Sequence, residues 1–165
     1  MPDGEDLEIP SYEEREDMIN RLSEIIEHLQ KTSPRKTYFA VLSELNRVND
    51  YQPDPDDTND EYAIEKIALA ASCSWFFMAL FERTGHVSDT IKHINKVSSV
   101  ELHGAAVTSL TNLRDELEHA PAEELASILS EAVFVISFVH DVFHALPWVD
   151  KELHFFFEDA VKNSK

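Results

Sequence analysis

Two residues of types suited to chemistry stand near each other in the middle of this 165-residue chain. They are Arg114 and His119, with four residues between them. An imidazole that exchanges a proton near neutral pH, beside a permanent cation, is a pair fitted to phosphate chemistry. Both belong to the stretch LHGAAVTSLTNLRDELEHAP, residues 102–121. Its apolar stripe at Leu102, Ala106, Leu110, Leu113 and Leu117, with Ser109 among them, has the spacing of a core-facing helix.

That helix must position the pair, and a straight one would not. Residues five apart are separated by about 140° at 100° per residue, so the two side chains converge only if the helix loosens before His119. Pro121 biases Ala120 away from the α region and suits the first position of the next helix. The expectation is a helix-to-helix corner with His119 half exposed.

Other candidates compete. Arg21 and His28 repeat the pattern with six residues between them, inside a continuous helix, and read as an exposed face. His140 and His144 have the i, i+4 spacing that lets two imidazoles share a metal, with His154 or Glu131 in reach as a third ligand. Asp141 follows His140 and spells the dipeptide used by metal-dependent phosphohydrolases. Cys73 reads as core, Trp75, Phe76 and Phe77 read as core or interface, and His93 and His103 offer no constellation.

The surrounding elements are helical. Residues 1–10 form an acidic tip, expected to be disordered. Ser11 and Glu14 make a capping box for a helix through Met18, Leu22, Ile25, Ile26 and Leu29. Ser33 and Pro34 open a second helix with Tyr38, Val41, Leu42, Leu45 and Val48, so residues 11–49 read as an N-terminal helical hairpin. The loop DYQPDPDDTND, residues 50–60, separates it from a bundle over 60–161. In that bundle a long helix runs from Asp60 to Gly85, its expected C′ residue. A short helix starts at Ser88, and Ser98 with Glu101 forms a capping box for the helix that carries Arg114. A further helix runs from Pro121 to before Pro147, and a last one over 150–161. The fold class is therefore all-α: an up-and-down bundle in one domain, 1–165, with an additional N-terminal hairpin.

Composition narrows the partners. With 14 basic and 32 acidic residues the net charge is −18. That opposes loose nucleic-acid binding, which rests on neutralising phosphates, so RNA contact would be local or helped by a basic protein partner, and the charge otherwise reads as one that keeps the protein in solution. No run of 18 apolar residues suggests a membrane span, and the N-terminus lacks signal-peptide character. One cysteine suits a reducing cytoplasm. AVFVISFV, residues 132–139, and WFFMALF, residues 75–81, are apolar nearly all round, which argues for a homodimer.

Arg114-Asp115-x-x-x-His119, after a long helix rich in small residues and before a long apolar one, resembles the R-x4-6-H pattern of the HEPN superfamily of all-α domains. The resemblance covers about residues 60–146. It implies a metal-independent endoribonuclease of the toxin or phage-defence kind, cutting RNA in a cleft between two protomers and needing no cofactor. His119 would then act as general base or acid on the 2′-hydroxyl or leaving oxygen. Arg114 would hold the scissile phosphate, and Asp115 would orient one of them. A toxin-like nuclease would also have an antitoxin-like partner. Two alternatives stay open: a catalytically silent HEPN-like module whose acidic surface binds a basic protein, and a metal-dependent bundle hydrolase using His140 and His144.

Overall fold

A computed structural model describes residues 12–50, 61–144 and 146–149. Within them the regular structure is helical throughout. The order is α1 (Tyr12–Lys31), α2 (Pro34–Asp50), α3 (Glu61–Phe76), α4 (Val87–Ile94), α5 (Ser99–His119) and α6 (Ala122–Phe143). The acidic tip, Ser11 of the expected Ser11–Glu14 capping box, residues 51–60 of the acidic loop and the expected helix at 150–161 lie outside the described residues.

Local signals set most boundaries. The Ser33 hydroxyl accepts from the Lys36 backbone N–H at 3.2 Å, so Ser33 caps α2 and Pro34 occupies its first position. Ser98 and Glu101 exchange both bonds of a capping box at the start of α5. The corner after α5 is made by Ala120 in extended conformation and Pro121 as N-cap of α6.

One boundary falls elsewhere. The long helix expected to reach Gly85 ends at Phe76, and Gly85 is not in the left-handed conformation of a helix stop. Long-range contacts decide this. The Ser74 hydroxyl donates to the Thr84 carbonyl and accepts from the Thr84 N–H, at 3.2 and 3.0 Å. That tie folds the chain back over residues 77–84 while Phe77 and Phe81 are driven into the core.

The core is organised around α5. Leu102, Ala106, Leu110 and Leu117 are wholly buried, and burying each leucine contributes about 1.5–3 kcal/mol. α1, α2 and α6 all pack against this helix. The N-terminal pair does not stand apart as a hairpin: α1 lies on α5 and α6, and α2 touches α3, α4, α5 and α6. Polar ties reinforce the apolar contacts. Tyr38 of α2 donates its hydroxyl to the Ile94 carbonyl at 3.0 Å, and Thr37 shares a 2.8 Å bond with Nδ1 of His103 on α5.

α6 spends most of its all-round apolar character inside this single chain. Ala132, Val135, Ile136, Phe138, Val139, Val142 and Phe143 are buried. Phe138 meets Phe76 at 5.0 Å between ring centroids. By length and composition α6 is apolar enough to cross a membrane, but here its buried residues fill the bundle. Glu123, Glu124 and Asp141 stand on its outer surface.

Candidate functional site

α5 is an unbroken α-helix through His119. The loosening that would bring Arg114 and His119 together is absent, because Pro121 constrains only Ala120, one residue too late. The two side chains therefore leave opposite flanks of the helix, about 140° apart. Arg114 is half buried and donates from Nη1 to the Ser23 hydroxyl of α1 at 3.3 Å. His119 is exposed, and its Nδ1 lies 2.9 Å from the Asp115 backbone carbonyl. A carbonyl only accepts, so Nδ1 carries the proton and Nε2 is the basic nitrogen of the neutral ring. Asp115 thus orients His119 through its backbone rather than its carboxylate. Arg15 of α1 fixes the same corner by donating from Nη2 to the Ala120 carbonyl at 2.9 Å.

The competing pairs resolve differently. The expected exposed face holds for His28 but not for Arg21, whose side chain is 12% exposed and bonded to Asp17. His28 stacks on Trp148 at 5.5 Å. His144 donates from Nδ1 to the Asp141 carbonyl, while His140 Nδ1 lies 3.7 Å from the Asp141 carboxylate. Glu131 is nine residues from His140, about 13 Å along the helix axis, which rules it out as a shared ligand. His154 lies outside the described residues. Among the described residues no three His, Cys, Asp or Glu side chains converge as a metal would require. Cys73 is fully buried, and burial pushes its thiol pKa up. His93 stacks on Phe81 at 5.4 Å.

The structure instead brings together residues from three helices that the sequence does not connect. An open groove of about 220 Å³ runs between α5, α6 and the end of α3. Its α5 wall is formed by Ala105, Thr108, Ser109, Asn112, Leu113 and Glu116. Ser109 donates to the Phe76 carbonyl at 2.8 Å, tying α5 to the last turn of α3. Trp75 lines the opposite side and meets Phe134 of α6 edge-on at 5.7 Å. Met78, also lining the groove, is 63% exposed, and neighbouring Phe134 is 46% exposed. Large apolar side chains held at the surface around a concave site mark a surface for binding.

Two carboxylates complete the groove. Glu131 of α6 has its pKa raised, first by burial and second by Glu116 of α5. Lysine and arginine are absent from the sequence between Asp115 and Asp150, so no cation on that stretch offsets them. His119 follows Asn112 by seven residues, within about 20° of two full turns, and so projects from the groove side of α5. Arg114 does not.

Comparison of the chain with protein-family models, with curated proteins and with solved structures returns no match.

Proposed function

We propose that this protein is an interaction module that seats a basic amphipathic helix of a partner protein in the groove between α3, α5 and α6. The supporting observation is the conjunction of exposed Met78 and Phe134 with the carboxylates Glu116 and Glu131, which make no ion pair among the described residues. A helix laid in a groove is anchored by apolar residues at i, i+3, i+4 and i+7. A lysine on its flank would relieve the electrostatic penalty on Glu131. The volume suits this occupant, being below the ~300–1,000 Å³ of small-molecule sites and large enough for one or two anchoring side chains. The charge of −18 favours the same partner. In this reading the HEPN-like pattern is catalytically silent.

Calorimetric titration with a helical Leu/Lys peptide tests it. Saturable binding is expected, with the Glu116→Gln/Glu131→Gln variant weaker by about fivefold, roughly 1 kcal/mol. Equal binding of a Leu/Glu peptide of the same shape would sink the proposal.

One observation favours a second reading. His119 is exposed, with its tautomer fixed and Nε2 as its basic nitrogen, as a general base requires. The phosphate clamp would then come from Arg114 of a second copy, in a composite HEPN-like ribonuclease site. His119→Ala and Arg114→Ala would each abolish RNA cleavage in a chelator, and a mixture of the two variants would recover part of it. A wild type that cleaves no RNA removes this reading.

A further inference from the structure

A second concave site, remote in character from the acidic groove, lies between α2 and the C-terminal end of α6. It has a volume of about 350 Å³, within the range of sites that enclose small molecules. Its inner surface is apolar: Val142 is buried, and Ala40 and Leu146 are partly buried. Phe39, 73% exposed, forms one wall. The rim is cationic, with Arg35 and Lys36 both exposed. In a chain of charge −18, this clustering of cations over an apolar hollow runs against the composition.

The charges at the site do not cancel. Glu44, the one acid there, is already held by Arg47 through two bonds of 2.8 Å. That bidentate pair braces the wall, and Arg47 also bonds Glu65 at 3.2 Å, so Arg47 adds no free positive charge to the rim. Arg35 and Lys36 make no ion pair with another described residue. They also stand in the first turn of α2, where the helix dipole already favours negative charge. An anion at the rim is therefore attracted by two side chains and by the helix end together. His144, its Nδ1 bonded to the Asp141 carbonyl, places an imidazole on the same rim.

We infer that this hollow binds an amphipathic anion, an alkyl chain in the Phe39–Val142–Leu146 cavity with its carboxylate or phosphate headgroup on Arg35 and Lys36. The apolar floor supplies affinity for the tail, and the rim selects the sign of the head. A nucleotide fits less well, because its polar base and sugar would have to enter the apolar part.

The test titrates the whole 165-residue chain with octanoate, octyl phosphate and octyltrimethylammonium, followed by NMR. Octanoate or octyl phosphate should bind saturably and shift resonances of Phe39 and Val142, the stronger of the two identifying the headgroup. Arg35→Gln/Lys36→Gln should weaken that binding at least fivefold with an unchanged melting temperature. Glu131→Gln, in the other groove, should leave it unaltered, which separates this inference from the proposed function. Equal binding of the cationic amphiphile, undiminished binding by the double variant, or no saturable binding of either anion would each overturn the inference.

Discussion

Glu131 of α6 lies close enough to Glu116 of α5 for that carboxylate, added to burial, to hold the Glu131 pKa above the ordinary carboxylate value. Two acids from different helices thus share one groove with no cation from the intervening sequence to separate them. A cation supplied from outside would therefore act on both acids at once.

The pair predicts a pH dependence with a definite sign. The folded state holds the Glu131 proton more tightly than the unfolded chain does. Its contribution is therefore intact below the ordinary value of 4.5 and is lost as pH rises through the raised folded value. Glu131→Gln should remove that decline. At pH 7 the variant should melt about 1–2 °C above wild type, as expected for a surface change of ~0.5 kcal/mol. Thermal melts of both proteins between pH 4 and 7 check this; parallel curves would contradict it.

A second titration runs the opposite way. Burial lowers the His103 pKa, so the folded state resists protonation and loses stability as pH falls below the ordinary 6.5. Thr37→Val breaks the 2.8 Å bond between α2 and α5. It should cost about 1 kcal/mol, a fall of roughly 2–4 °C in a domain of this size. Differential scanning calorimetry at pH 7.5 measures it.

Two exposed histidines should respond unequally to removal. His28 stacks on Trp148, whereas the one hydrogen bond described for His119 is to its own helix. His28→Ala should lose about 0.5–1.5 kcal/mol of ring contact, while His119→Ala should remain within ~0.5 kcal/mol. Urea unfolding of the two variants compares them directly. An equal loss would show that the stack contributes nothing.

Much of the fold was legible because its signals are local. Ser33–Pro34, Ser98–Glu101 and Ala120–Pro121 each set a helix boundary through neighbours no more than three residues away. The end of α3 was not legible, because it depends on Ser74 meeting Thr84 ten residues on and on the burial of Phe77 and Phe81. The relation of Arg114 to His119 turned on a single residue: a break before His119 would have joined them, and the break falls at Ala120. The groove was invisible for a different reason. Trp75, Met78 and Phe134 belong to apolar runs that read as core or dimer interface, and nothing in spacing pairs them with Glu116 and Glu131.

The most direct test of the account follows the groove itself during binding. Trp75 lines the groove and Trp148 lies elsewhere, stacked on His28, so the two indole N–H resonances report separately. On titration with the Leu/Lys helical peptide, the Trp75 indole and the Met78 methyl should shift progressively to saturation while the Trp148 indole stays in place. Saturable binding that leaves Trp75 and Met78 unmoved would contradict the assignment of this groove as the interaction site.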